Sequence, residues 1–363
     1  WNEPKKLIDS NWADRDMDGK DDYPDSLLDM VFTAGSAKEW TVEVEVLVRL
    51  VQFHVVGIMT GTFIAGVTHI LFTMRKELFE SRSVGRYRLK RRLGVGGMGE
   101  VWAAYHHGLE RNVAVKILTN TSESEHVAAR RFEREIRATS ELVHPNAIRI
   151  YDFGTAEDGR LYYAMELLEG ESLATLVERE GPLSVARAVH FIRQAARALA
   201  EAHAHWIVHR DVKAENFFVT TNGEAEDFIK VLDFGIATVK SDSNSTLTRA
   251  GAVAGSPGTM SPEVILNQKA TPASDVYGLG AVLYLLVTGR LPFAHAAGSA
   301  MLVAHVNEAP VSPSIRLRAK IDPDVEAIIM RCLAKDPSDR YPTAHELAEA
   351  LEGCSVAGTW RGA

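Results

Sequence analysis

Two short polar strings set into apolar sequence constrain this chain more than any other feature: His209, Arg210, Asp211, Val212, Lys213, Ala214, Glu215, Asn216, and farther on Val231, Leu232, Asp233, Phe234, Gly235. Their apolar flanks mark them as the ends of segments rising from a core, and together they offer carboxylates, an amide oxygen and an ammonium. Such groups suit a triphosphate, which reacts only when its charge is neutralised and an attacking hydroxyl is held in line. On that chemistry Asp211 accepts the proton of the incoming hydroxyl and Lys213 steadies the transferring phosphate, while Asn216 and Asp233 hold magnesium, or manganese in its place. Either triplet alone is a common surface turn. The two in this order, joined by what lies upstream, carry the weight.

Upstream, Leu93, Gly94, Val95, Gly96, Gly97, Met98, Gly99, Glu100 and Val101 form a glycine-rich turn between strand-like runs at 87–93 and 100–105. Glycines let backbone amides approach phosphate closely. Dinucleotide-binding turns share this spacing but run from a strand into a helix. Here the second flank, Val101, Trp102, Ala103, Ala104, Tyr105, reads as a strand, which favours the version that covers a nucleotide's phosphates. The following strand, Val113 to Leu118, carries one lysine. Lys116 reads either as the ammonium that grips those phosphates or as a snorkelling edge residue.

With these motifs in place, residues 94 to about 351 resemble the Hanks-type serine/threonine protein kinases of bacteria. The resemblance implies an α+β, bilobal protein kinase-like fold, with a small β-rich N-lobe, a mainly α C-lobe and ATP in the cleft between them. It implies that Glu135, rather than Glu133, pairs with Lys116, because Glu135 precedes Ile136 at the family's usual distance from His144, Pro145, Asn146. ATP-binding positions then follow: Leu93, Gly94, Gly96, Gly97 and Gly99 over the phosphates, Val101, Ala114 and Phe218 around the base, and Met165 as gatekeeper. Glu166 and Leu168 would offer hinge backbone groups. Ser261, Pro262, Glu263 stands where the family has Ala-Pro-Glu, Arg340 is the expected partner of Glu263, and Asp275 matches the buried helix that braces the catalytic loop. A bidentate carboxylate–guanidinium pair of this kind would pin the substrate-binding segment to the large lobe.

Departures from the family pattern occur at Gly258 and Thr259, which replace bulkier residues beside the acceptor, so substrate preference stays open while Ser256 can still supply the family's hydroxyl toward Asp211 and Lys213. Arg210 next to Asp211 invites a phosphorylated residue on the activation segment. Thr248 and Thr246 are the leading acceptors, against the plain reading of this tract as a flexible polar loop.

A formal charge of -8 argues against nucleic acid as a main partner. The two cysteines, Cys332 and Cys354, give neither a metal motif nor a disulfide framework.

Ahead of the kinase-like region, residues 50–74 contain no charged side chain apart from the titratable His54 and His69, which is long enough to cross a bilayer. Gly57, Gly61 and Gly66 could seat a partner helix, so a homodimer is kept open. Arg75, Lys76, Arg82, Arg86 and Arg88 follow the run, and the positive-inside rule then puts the kinase-like part in the cytoplasm. The alternative is the buried core helix of a soluble regulatory domain. The run lies too far into the chain for a signal peptide. Farther ahead, Asp14, Asp16, Asp18, Gly19, Lys20, Asp22 and Asp25 follow the alternating pattern of a calcium loop, with Asp25 in place of the usual glutamate; a solvated acidic linker is the rival.

The expected organisation is an N-terminal segment at 1–36 with the calcium loop at 14–25, a lead-in at 37–49, a transmembrane helix at 50–74 and a basic linker at 75–86. A kinase domain at 87–352 and a tail at 353–363 complete it. Because residue 1 is tryptophan, the chain reads as part of a longer product. The expected function is transfer of the γ-phosphate of ATP to serine or threonine on proteins, itself included, at the inner (cytoplasmic) membrane. A catalytically inactive scaffold and a small-molecule phosphotransferase are the rivals. Against the first stands the full set Lys116, Glu135, Asp211, Asn216 and Asp233, and against the second the Glu263 and Arg340 elements.

Overall fold

The computed structural model of the chain describes residues 37–80, 83–97, 99–119, 125–223, 225–234 and 257–360. The residues of the expected calcium loop, Asp14, Asp16, Asp18, Lys20, Asp22 and Asp25, lie outside the described residues, as do Thr246, Thr248 and Ser256. Two units are distinguished, Trp1–Lys76 and Glu77–Ala363.

Most of the first unit's described part belongs to one helix, α1 (Ala37–Glu80). The expected lead-in, span and first part of the linker are therefore turns of a single helix, since no proline interrupts them. Within it, Leu47–Phe72 is long and apolar enough to cross a membrane, with a mean hydropathy of 1.8. Its apolar side chains cover the whole circumference and are exposed, Phe53 at 79% for example. The hydroxyls of Thr62 and Thr68 donate to the Ile58 and Ile64 carbonyls at 2.8 and 2.7 Å, so these polar groups are satisfied inside the helix.

The second unit begins with an antiparallel sheet of β1 (Ser83–Val84), β2 (Tyr87–Gly96), β3 (Gly99–His106), β4 (Arg111–Leu118), β5 (Ile150–Thr155) and β6 (Leu161–Met165), in the order β1-β2-β3-β4-β6-β5. Val113, Val115 and Ile117 pack one face with Trp102, Tyr87 and Ala164. The other face meets α2 (Glu125–Ser140), whose Phe132 and Ile136 are fully buried. Between β2 and β3 the chain reverses at Gly96 and Gly99, which are register partners. Gly99 sits at φ +144°, where a side chain would strike the Ile117 carbonyl, so the turn requires glycine.

A second sheet is made of β7 (Glu171–Ser172), β8 (Phe217–Asn222) and β9 (Ala225–Val231), in the order β7-β8-β9, and the other elements described are helices. Helix α3 (Leu173–Glu180) is capped by Ser172, and α4 (Val185–Ala204) by Ser184, whose hydroxyl accepts from the Arg187 amide at 3.3 Å. Helix α5 (Pro262–Ile265) is short. Helix α6 (Pro272–Thr288) is apolar nearly all round, as a helix buried on every side must be. Thr271 and Ser274 form a capping box at its start, and Gly289 ends it at φ +72°. Gly278 lets α6 close onto Val212, so the central helix touches the polar loop directly. Packing of α6 against α9 (Pro323–Cys332) uses Gly280 in the same way against Cys332. Helices α7 (Ser299–Asn307), α8 (Pro313–Leu317) and α10 (Ala344–Glu352) complete the set. The arrangement is the α+β, two-lobed one expected, with one apolar helix ahead of it.

Candidate active site

The loop 209–216 is held from below by the N-terminal end of α6. Asp275 accepts from the His209 and Arg210 amides at 2.8 and 2.9 Å and lies 2.9 Å from His203 Nε2. Asp275 is thus a structural brace, 1% exposed, that fixes a loop in which Arg210 adopts φ +66°. The imidazole of His209 meets the Leu232 carbonyl at 2.8 Å and packs on Phe234, tying the two polar strings together. The Leu232 amide also donates to the Asn216 carbonyl at 2.8 Å.

On this frame Asp211 is 7% exposed, with Oδ2 2.7 Å from the Lys213 ammonium. The Asn216 amide nitrogen donates to the Asp211 carbonyl at 2.7 Å and to its Oδ2 at 3.2 Å. That spends the nitrogen and leaves the Asn216 side-chain oxygen for another partner. Asp233 follows β9 at φ +58°, a conformation uncommon without glycine. Hard oxygens from Asn216 and Asp233, beside an ammonium clamp, fit a magnesium or manganese ion carrying a nucleotide.

Lys116 comes from the centre of β4 and is 7% exposed. Among the described ion pairs its partner is Asp233 Oδ2, at 2.6 Å. The reason is register. Lys116 lies directly opposite Tyr163 of β6, so both side chains leave the same face and reach down to the loop after β9. Tyr163 donates its hydroxyl to Asp233 Oδ1 at 2.6 Å. Burial alone would raise the Asp233 carboxyl, but Lys116, Tyr163 and His209 together outweigh it and hold the group below its usual range. Burial, and then the Asp233 charge, push the Tyr163 phenol well above its ordinary value, so it stays a donor. Glu135 sits half-buried on α2, its carbonyl accepting from Thr139.

Sequence reasoning missed Tyr163, because its importance depends on which strand pairs with β4. It missed Lys230 as well. The Lys230 ammonium holds the Glu166 carboxylate at 2.7 Å, and the same carboxylate oxygen accepts from the Arg149 amide at 2.8 Å. The Glu166 amide is itself bonded to the Arg149 carbonyl at 3.0 Å, so this hinge residue is pinned by both backbone and side chain. Met165 and Ala114 are register partners on adjacent strands, both buried, and Val101, Leu168 and Phe218 are half-buried. Leu93, Gly94 and Gly96 lie exposed along β2, and Gly97 lies exposed in the turn after it.

Below the loop, Arg340 and Glu263 form the bidentate pair expected, at 2.9 and 2.8 Å. A pocket lined by Arg210, Asp211, Thr259, Met260 and Ser261 opens beside it. Gly258 packs so closely on Leu291 that a bulkier residue there would have to displace that side chain.

Comparison with known proteins agrees with this geometry. The family described as the protein kinase domain matches residues 87–351. The serine/threonine-protein kinase pkn3 of Myxococcus xanthus is 41% identical over 270 residues, covering 74% of this chain and 49% of that protein. PknB of Mycolicibacterium smegmatis is 40% identical over 269 residues, covering 73% of this chain and 42% of that protein. The chain therefore spans about half or less of these relatives' own length. Among solved structures, the Mycobacterium tuberculosis PknI kinase domain superposes with a TM-score of 0.59 at 25% identity, covering 75% of this chain and 97% of that one.

Proposed function

Because this chain belongs to the protein kinase family, with residues 87–351 forming a serine/threonine protein kinase domain, we propose that it moves the γ-phosphate of ATP to serine and threonine hydroxyls of proteins, its own included, from a membrane anchor. The observation that supports the chemistry is a pair of clusters, Asp211 with Lys213 and Asn216, and Lys116 with Asp233, whose loops are tied together through the backbone of Leu232. Asp211 takes the proton of the incoming hydroxyl, and Lys213, already 2.7 Å from it, balances charge on the transferring group. Asn216 and Asp233 would hold magnesium, which when bound would supply neutralisation of the phosphate oxygens. Lys116 would grip the nucleotide, with Glu135 on α2 as the carboxylate expected to orient it, and Asp233 would be left in place to hold the ion. The hinge at Glu166 and Leu168 offers backbone groups to the base. Since the Glu166 amide is bonded internally, its carbonyl is the group offered.

The test is self-labelling of the full chain with labelled ATP and magnesium. Lys116→Met is expected to lower it by about 10²- to 10³-fold, as loss of one preorganised cation at developing charge does. Labelling that survives in Lys116→Met ends this reading. Absent labelling in the parent with nucleotide binding retained points instead to a scaffold, and transfer to a small molecule alone to the third class. Arg210, beside the catalytic loop, is the cation that a phosphate on Thr246 or Thr248 would engage. Ser256 supplies a hydroxyl toward Asp211 and Lys213, and the pocket lined by Thr259, Met260 and Ser261 shapes the surroundings of the acceptor.

Leu47–Phe72 supports the anchor, and the arginines and lysines that follow support a cytoplasmic kinase domain at the inner membrane. Lysine in place of Ile64 is expected to cost about 2.5–3.5 kcal/mol of insertion, moving much of the chain out of the membrane fraction. An Ile64→Lys chain that sediments with membranes as the parent does removes the anchor. Calcium at Asp14, Asp16, Asp18, Lys20, Asp22 and Asp25 would be structural in this topology, and pairing of two chains along Gly57 and Gly61 is the dimer it allows.

A further inference from the structure

We infer that Tyr163 is a positioning residue for the metal-holding carboxylate, its buried hydroxyl fixing Asp233 so that the side chain stays aimed into the cleft when Lys116 leaves it for the nucleotide. The inference rests on the reading of Asp233 as a magnesium ligand and deepens it.

Asp233 is half-buried, and a carboxylate drawn largely out of water needs donors on both oxygens. Among the described bonds Asp233 has Lys116 on Oδ2 and Tyr163 on Oδ1, each at 2.6 Å. The two donors differ in what else they must do. Lys116 is a flexible ammonium required by the phosphates, so its hold on Asp233 is temporary. Tyr163 has no such second task. It is 1% exposed, anchored in the ladder between β4 and β5, and its ring lies 6.4 Å from that of Phe132 on α2. A phenol has two rotatable bonds before the hydroxyl, and this one is walled in by core, so it keeps its place whatever Lys116 does. The backbone of Asp233, in the left-handed region, does not by itself fix the side-chain rotamer. Packing alone would be served as well by phenylalanine; the hydroxyl is the part that packing does not explain. Because Phe132 belongs to α2, the helix that also bears Glu135, the seat of this tyrosine connects that helix to the metal-holding group.

The test measures nucleotide binding to the full chain in detergent, using a fluorescent ATP analogue titrated with magnesium chloride, for the parent, Tyr163→Phe, Phe132→Leu and Asp233→Asn. Loss of an outer partner of a metal ligand commonly weakens the metal about 10- to 100-fold, so Tyr163→Phe is expected to raise the half-saturating magnesium concentration by about tenfold. Binding of the analogue in excess chelator and the melting midpoint without ligand stay near the parent's, which a purely structural loss would not allow. Phe132→Leu keeps the hydroxyl but loosens its seat, and is expected to shift the magnesium requirement the same way by about threefold. An unchanged requirement in both variants reduces Tyr163 to packing, and a lowered one shows that it obstructs the ion; either overturns the inference while Asp233→Asn still abolishes the magnesium effect. If Asp233→Asn itself binds as the parent does, the assignment of Asp233 fails and the inference falls with it.

Discussion

Asparagine at position 211 is expected to slow phosphate transfer by about 10²- to 10⁴-fold while nucleotide binding changes little, because what it removes is a proton acceptor and a charge, not volume. That range corresponds to about 2.7–5.4 kcal/mol of lost transition-state stabilisation. In the parent, Oδ2 of Asp211 faces the Lys213 ammonium at 2.7 Å and accepts from Asn216 at 3.2 Å. A neutral amide either turns its nitrogen toward those two donors, which repels both, or keeps its oxygen there and offers a far weaker base. In both orientations the loop stays braced, since Asp275 holds it through the backbone amides of His209 and Arg210 rather than through Asp211. The loss should therefore fall on kcat with KM for ATP within a few-fold. Steady-state phosphorylation of a protein acceptor at saturating magnesium reads both. A drop of less than about tenfold would remove Asp211 from the role of base.

The loop of Asp211 was legible in sequence because its chemistry fixes residue types at short, regular offsets. So was the glycine turn, since Gly99 occupies a backbone region closed to other residues. The pairing of Lys116 was not. A lysine in a strand gives no hint of what lies beneath it until the register with β6 is known, and that register sets Tyr163 beside it with Asp233 below. Resemblance pointed to Glu135, and among the described ion pairs Lys116 has Asp233. Hydropathy likewise located the apolar run at 50–74 but not the ends of its helix, because charged residues such as Glu43, Arg75 and Glu77 are good helix formers that leave no stop signal. Apolar content around all faces does not by itself decide a helix's surroundings either. Helix α6 has it and lies buried at the centre of the large lobe, while α1 has it over a length sufficient for a bilayer.

Alanine at position 340 is expected to destabilise the kinase unit by about 3–5 kcal/mol, since breaking a buried ion pair leaves an uncompensated charge behind. Arg340 is 1% exposed, and every one of its five N–H donors is used. Two go to the Glu263 carboxylate at 2.9 and 2.8 Å, and the others reach the carbonyls of Ala273, Ala334 and Lys335 at 3.0, 2.8 and 3.0 Å. Its plane also lies over Tyr277 of α6. Removing the guanidinium strands Glu263, which then keeps only its bond from Ser274 at 2.7 Å among the described side-chain donors. Burial by itself raises the Glu263 carboxyl, and it is Arg340 and Ser274 that bring it below its usual value of 4.5. A lowered folded value means that the pair's contribution is complete above about pH 4.5 and fades as pH falls through that lower value. Arg340→Ala should thus lose most stability at neutral pH and converge on the parent in acid. Since domains are commonly stable by only about 5–15 kcal/mol, such a loss also leaves a visible unfolded fraction. Lysine at 340 keeps the charge but cannot bridge two carboxylate oxygens and three carbonyls, so it should recover only part. Urea unfolding of the full chain at neutral and acidic pH measures all of this. A loss below about 1 kcal/mol, the range of surface pairs, would mean that Glu263 and the segment it anchors are held by apolar packing instead.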